Sequence, residues 1–540
     1  MAGSILREVQ PMFHQQPDRT RNALLVILAW GSLSFAFYSR SGSAQDAKTD
    51  PLAGNPIVAI EQTFIDVIDK CDDSIVSIAR IQNDGMNRRE VQIPMPERGP
   101  DELFSRELWD PSHPDFIPME YGTGIIVAPT DRPDERYILT NYHVVEGGPI
   151  SGKTDAPSEY QLYLRFANRR GCRGTIRAAD PRSDLAVIDI HFEELEIKPA
   201  DLIPLSFPEN PTFRKGQIVV LLGNPFAIAR DGSASASWGI LSNIARLPHP
   251  LGPLPLSDDE RKKETIHHYG TLLQADARMP LGSSGGAWVN LRGELIGVMT
   301  SLAALAGYES NSGYAIPMNS SVRRIVDSLL SGYEVEYGFL GVQPENVLPA
   351  ELKDQPLSHP QPSAAVAMRV YPNSPAAQGG MNRGDYILSV NRVPILDRND
   401  LWREIGLLGP ESQAEIVVWR PSTRQELQLL IKLGKWPVYD DEGLIATQSR
   451  IPRWRGLLVD HPTGRFKYVQ WPFRYPAAVL ITDVAADTPA ATAELHAGDL
   501  ITHVNQKPVQ TPNEFRAAIE QQEGEIQLTL TDGRRITLMP

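Results

Sequence analysis

The chain has few cysteines, no excess of positive charge, no cofactor fingerprint and no long apolar run. Two cysteines in 540 residues, Cys71 and Cys172, do not make a disulfide scaffold. Each lies in an apolar or strand-like context suited to a buried thiol, and the sequence leaves open whether they pair. Lys and Arg number 52 against 66 Asp and Glu, a formal net charge of −14. That balance excludes general affinity for nucleic acid or anionic membrane surfaces. No zinc, P-loop or dinucleotide fingerprint occurs, so neither metal nor organic cofactor is expected. His267-His268 would be adjacent on a strand, where side chains diverge, and the pair is not read as a metal site.

The apolar run of note is Ala23 to Tyr38, broken by Gly31, Ser32 and Ser34 and preceded by Arg7, Arg19 and Arg21. It is long for a signal-peptide core and short for a membrane-spanning helix. Gly42-Ser-Ala44 offers a small-residue cleavage site. Residues 23–38 are therefore read as a signal peptide or an inner-membrane anchor. The basic flank leaves the amino terminus inside and exports the remainder. The expected location is the bacterial periplasm or cell envelope.

Three segments carry chemistry: Thr140-Asn-Tyr-His-Val-Val145, Asp180-Pro-Arg-Ser-Asp-Leu-Ala-Val187 and Gly282-Ser-Ser-Gly-Gly286. A serine hydroxyl is a poor nucleophile at neutral pH and needs an imidazole to take its proton. A carboxylate then fixes the imidazole tautomer and steadies the imidazolium. The order His143, Asp184, Ser284 is that of the chymotrypsin-type double barrel. Gly282, Gly285 and Gly286 allow a tight turn and close approach of a substrate carbonyl. The amides of Gly282 and Ser284 are positioned to hold an oxyanion, each such donor contributing roughly 2.7–4 kcal/mol in a transition state.

With these motifs in place the chain resembles the HtrA family of trypsin-like serine proteases with C-terminal PDZ domains. The likeness runs from about Phe64 to the end. Phe64 to Ile78 resembles the family's first helix and strand, and Tyr121-Gly-Thr-Gly-Ile-Ile-Val127 the hairpin before its catalytic histidine. Gly223-Asn-Pro-Phe226, Ser237-Trp-Gly-Ile-Leu-Ser242 and Gly313-Tyr-Ala-Ile-Pro317 resemble landmarks of its second barrel. Carried over, His143 is the base, Asp184 its orienter and Ser284 the nucleophile. Ser283 and Ala287 depart from the family's usual Asn and Pro. Arg278, in Gln274-Ala-Asp-Ala-Arg-Met-Pro-Leu-Gly282, borders the expected specificity pocket. It either swings to solvent or enters the pocket to favour an acidic substrate residue.

At this length about three or four domains are expected. Short branched runs, among them Ile125–Val127, Gln161–Leu164, Leu185–Ile188, Ile218–Leu222 and Leu295–Val298, suit antiparallel barrels. Ser320 to Leu330 reads as a helix with Val322, Ile325, Val326, Leu329 and Leu330 on one face. Asn83 to Met119 and Arg246 to His268 look like enlarged loops. In the family a loop at the first place mediates contacts between protease units.

Beyond Gly332 the chain repeats. Ser374-Pro-Ala-Ala377 and Arg383-Gly-Asp-Tyr-Ile-Leu-Ser-Val-Asn-Arg-Val-Pro394 return as Thr488-Pro-Ala-Ala491 and Ala497-Gly-Asp-Leu-Ile-Thr-His-Val-Asn-Gln-Lys-Pro508. The copies resemble PDZ domains, which add a peptide's terminal strand to a sheet edge and cradle its carboxylate with backbone amides. Gly338-Phe339-Leu340-Gly341 resembles that carboxylate loop, and Gly456-Leu-Leu458 its counterpart in the second copy.

The expectation is a mainly β chain in four parts. Residues 1–55 form a signal or anchor and linker, and 56–332 a chymotrypsin-like double β-barrel protease domain. Residues 335–437 and 450–540 form two PDZ domains. The resemblance implies an endopeptidase for unfolded or damaged exported polypeptides, with peptide C-termini bound at the PDZ domains, assembled as a homotrimer or larger oligomer. A proteolytically weak chaperone or peptide sensor on the same scaffold is the alternative.

Overall fold

The computed structural model describes residues 55–82, 118, 120–153, 158–167, 169–224, 233–247, 265–280, 282–301, 312–353, 355–439, 443–469, 475–520 and 522–540. The apolar run 23–38, nearly all of the loop 83–119 and most of the insert 246–268 lie outside them. Among the described residues no helix is long and apolar enough to cross a membrane.

The first barrel uses β1 (Ile75–Gln82), β2 (Glu120–Val127), β3 (Tyr137–Thr140), β4 (Tyr160–Phe166), β5 (Gly171–Asp180) and β6 (Leu185–Ile190). Its order is β5-β4-β1-β2-β3-β6, and pairing of β5 with β6 closes it. The second is closed from β7 (Ile218–Gly223), β8 (Ser235–Arg246), β9 (Leu272–Ala275), β10 (Ala287–Val289), β11 (Leu295–Met299) and β12 (Gly313–Pro317).

Strand β7 shows why its sequence is apolar without a break. Side chains alternate between faces. Val219 and Leu221 fill the second barrel, while Val220 and Leu222 point into a core between the barrels. Both faces are buried, so every position must be apolar. The same inter-barrel core takes Val322, Ile325, Val326, Leu329 and Leu330 from the helix Ser320–Leu330. That helix starts where Asn319 accepts a hydrogen bond from the Val322 amide. Cys71 and Cys172 are both buried free thiols. They belong to different cores, Cys71 between the barrels and Cys172 inside the first.

Two similar modules follow. In the first, a sheet of Val342–Val347, Ala364–Val370, Tyr386–Val390, Gln413–Arg420 and Gln425–Lys432 packs on the helix Arg398–Leu408. The second repeats it with Leu457–Asp460, Val479–Val484, Leu500–Val504, Ile526–Leu530 and Arg535–Leu538 beside the helix Pro512–Ile519. The repeated motifs do the same local work in both. Ser374 and Thr488 cap one-turn helices by accepting from the Ala377 and Ala491 amides. Asn391 and Asn505 each turn the chain at φ 47°.

The segment between the modules is not a free tether. Ile445–Ala446 pairs antiparallel with Ala178 and Ala179 of β5, extending the first barrel's sheet. Thr447 donates its hydroxyl to the Arg177 carbonyl at 2.9 Å.

Candidate active site

The site lies where the two barrels meet. Strand β3 ends at Thr140, Asn141 is extended, and one helical turn, Tyr142–Val145, carries His143. The Asn141 side-chain amide and the Tyr142 amide each donate to the Asp184 carbonyl at 3.0 Å, which ties this turn to the β5–β6 turn. Asp184 has φ 52°, a left-handed conformation that short polar residues tolerate.

The Asp184 carboxylate is buried and receives four donor contacts. His143 Nδ1 lies 2.9 Å from Oδ1 and 3.0 Å from Oδ2, and the His143 amide donates to Oδ1 at 3.2 Å. The Thr300 hydroxyl donates to Oδ2 at 3.1 Å. An ionised carboxylate only accepts, so the Nδ1 proton faces Asp184 and Nε2 presents its lone pair to the cleft. Burial lowers the proton affinity of His143, but the Asp184 charge and hydrogen bond outweigh it. The His143 pKa ends above the ordinary value of 6.5.

The aspartate turn has its own support. The Asp180 carboxylate, fully buried, accepts from the Ser183 amide and Arg182 Nε at 3.0 Å and from the Tyr337 hydroxyl at 2.5 Å. Tyr337 lies beyond the second barrel, within the inter-barrel core. His267 Nε2 donates to the Ser183 carbonyl at 2.8 Å, and Nδ1 accepts from Thr271 at 2.5 Å. His267-His268 thus does not lie on a strand as expected. The pair sits in a buried 3₁₀ turn, Ile266–Tyr269, where His267 braces the Asp184 turn.

Ser284 stands in a turn of glycines. Gly285 has φ 85°, and a Cβ there would lie 2.0 Å from the Thr123 carbonyl and 2.3 Å from the Thr140 hydroxyl, so only glycine fits. Thr123 donates its amide to the Ser284 carbonyl and its hydroxyl to the Gly282 carbonyl, both at 2.8 Å. Neither the Gly282 nor the Ser284 amide donates to any described residue. The Ser284 hydroxyl donates to Ser301 Oγ at 2.8 Å, and Ser301 Oγ lies 3.5 Å from His143 Nε2. His143, Asp184 and Ser284 are therefore brought to one cleft.

The match to known families now has its geometry. A trypsin-like peptidase domain model matches residues 122–298, and a PDZ domain model matches residues 366–420 and 480–530. The chain belongs to the HtrA family of serine proteases. A relative from Brucella suis, named a probable periplasmic serine endoprotease DegP-like, is 28% identical over 78% of this chain and 74% of its own. One of the same name from Pseudomonas fluorescens is 27% identical over 84% and 87%. The periplasmic serine endoprotease DegP of Escherichia coli is 26% identical over 77% and 75%. A solved structure, HtrA-type protease AlgW with decapeptide, covers 69% of this chain and 99% of its own at 22% identity and a TM-score of 0.43. This HtrA-family chain is a serine endopeptidase, and its relatives support a periplasmic location.

Two other sequence-based candidates are placed as follows. Arg278 is exposed. Gly338–Gly341 lines a groove completed by Trp402, Ile405 and Trp436. About 20 Å³ is free there, little more than one water needs. Gly341 has φ 81° against the Ser374 side chain, and Gly456 has φ 94° against Thr488, so the two loops share one construction.

Sequence reasoning missed Thr300 and Ser301. The available signal was a polar pair at the end of the fully buried strand β11.

Proposed function

We propose that this endopeptidase cleaves unfolded or damaged exported polypeptides through Ser284, His143 and Asp184. The observation that carries the reading is the close pairing of His143 Nδ1 with both oxygens of a buried Asp184, with Nε2 facing the cleft that holds Ser284. Ser284 Oγ attacks the peptide carbonyl while its proton passes to His143 Nε2. Asp184 holds the tautomer and steadies the imidazolium. The Gly282 and Ser284 amides, free of other described acceptors, receive the oxyanion. His143 then protonates the leaving amine, and water hydrolyses the acyl-enzyme by the same route.

Residues 1–55 are assigned as signal or anchor and linker, 56–332 as the protease domain, and 335–437 and 450–540 as the PDZ domains. The loop Gly338–Gly341 takes a peptide carboxyl terminus, with an apolar residue entering once Trp402 moves aside. Trp402 and Trp436 have ring centroids 4.9 Å apart, and Tyr269 of the His267 turn lies 6.1 Å from Trp402. An occupied groove thus presses on the turn that supports Asp184.

Assembly as a trimer or larger is supported by the helix Pro56–Asp72. Its apolar face buries Val67 and Cys71 on the protease core, then continues outward as Ile57 and Ile60, 72% and 55% exposed. Residues 23–38 serve as signal or anchor. The test is digestion of unfolded casein by the protein and its Ser284→Ala form, with fragments identified by mass. Cleavage that persists in Ser284→Ala refutes the nucleophile. Absence of cleavage by the unaltered protein, even with hydrophobic-tailed peptides added, refutes the substrate reading.

A further inference from the structure

Ser301 touches two of the three reacting groups. It is separated from the end of strand β11 only by Thr300, whose hydroxyl bonds Asp184. The Thr300–Ser301 pair therefore reaches Asp184, Ser284 and His143 from one rigid strand end.

The distances decide what Ser301 does. The Ser284 hydroxyl makes a full hydrogen bond to Ser301 at 2.8 Å. Ser301 is 3.5 Å from His143 Nε2, at the outer limit of such a bond. No described hydrogen bond joins Ser284 directly to His143. A serine oxygen is a far weaker base than imidazole, so a Ser284 proton directed at Ser301 is not activated for attack.

We propose that Ser301 is a positioning residue that clasps the nucleophile in the resting enzyme, and that attack begins only after Ser284 exchanges Ser301 for His143 as its acceptor. This rests on the reading of Ser284 as nucleophile and His143 as base. The exchange breaks one hydrogen bond and makes another, with no covalent change. In the attack that follows, the Ser284 proton goes to Nε2, the Oγ–C bond forms, and the carbonyl π pair moves to oxygen. Ser301 keeps its own proton throughout.

The test compares the full chain with Ser301→Ala, Ser301→Gly and Ser301→Thr, with Ser284→Ala as the blank. Three quantities are read: kcat and KM on a fluorogenic peptide, and the rate at which a fluorophosphonate labels Ser284. Removing the hydroxyl should raise kcat and labelling about two- to tenfold, the range of one net neutral hydrogen bond, with KM within about twofold. Ser301→Thr keeps a hydroxyl and should stay near the unaltered enzyme, which a purely structural role for the side chain would not require. Thermal melts accompany each variant, and Ser301→Cys supplies another hydroxyl-free side chain of similar size should Ala or Gly fail to fold. Unchanged or reduced kcat and labelling in the folded hydroxyl-free variants overturns the clasp. Turnover surviving in Ser284→Ala overturns instead the nucleophile on which the clasp rests.

Discussion

Tyr337→Phe tests whether the chain beyond the barrels holds the catalytic aspartate in place. The Tyr337 hydroxyl donates to Asp180 Oδ2 at 2.5 Å inside a fully buried cluster. Burial first, and the Asp180 charge second, push the Tyr337 pKa well above its ordinary 10, so the phenol stays a donor at all working pH values. Phe keeps the ring, including its contact beneath the Arg182 guanidinium at 4.6 Å, and removes only the donor. Asp180 retains Arg182 Nε and the Ser183 amide. The loss is one hydrogen bond to a buried charge, about 1.5–3 kcal/mol. For a domain of this size that lowers the melting temperature by roughly 3–12 °C. Because Ser183 precedes Asp184, kcat should fall more than KM rises. Calorimetry and peptide kinetics on the purified chain read both quantities. A variant with melting temperature within about 1 °C of the parent and unchanged kcat would refute the support.

Three further outcomes are expected. The acid limb of kcat/KM should lie above pH 6.5, because His143 must be neutral to act and Asp184 raises its pKa; Asp184→Asn should shift that limb downward and lower kcat by about 10⁴-fold, read from a pH–rate profile. Lys435→Met should destabilise the chain by roughly 3–5 kcal/mol in a denaturant titration, since buried Lys435 neutralises Glu334 at 2.8 Å, Glu336 at 3.1 Å and Asp460 at 2.9 Å. Ile445→Asp puts a charge into the core of the first barrel, so limited proteolysis should cut between the PDZ modules faster while Ser284 labelling persists.

The elements legible in the sequence were those whose cause is local. Ser320–Leu330 followed from apolar residues at helical spacing, and the structure adds its cap at Asn319. Strand β7 followed from an unbroken branched run, and the PDZ pair from a repeat whose caps and turns recur residue for residue. His143, Asp184 and Ser284 each sit in a turn whose neighbours serve that turn. Ser301 was silent because a hydroxyl acquires meaning only when His143, 158 residues earlier, is folded against it. The linker strand Ile445–Ala446 has two residues, too few for any periodicity, and is recognisable only from its pairing with β5. His267-His268 was read as strand because two adjacent histidines carry no period. The turn at Thr265, whose amide donates to His268 Nδ1 at 3.0 Å, sets the conformation instead.

The supports of Asp184 come from distant stretches of chain, and this bears on control of the protease. Asp180 is held by Tyr337, Ser183 by His267, and β5 is extended by Ile445–Ala446. His267 is buried, and burial depresses its pKa despite the partly compensating Ser183 hydrogen bond. A depressed histidine pKa favours the native state above the unfolded value near 6.5 and loses that contribution as pH falls through the folded value. Acid therefore acts on the site twice, protonating His143 directly and placing an unfavourable buried charge on His267, which braces the turn that carries Asp184. His267→Gln, which can keep a donor toward Ser183 without titrating, separates the two. It should leave the acid limb of catalysis, set by His143, in place while flattening the loss of thermal stability as pH falls below about 6.5. A stability profile in His267→Gln that still falls as steeply as the parent's would assign the acid response to other groups.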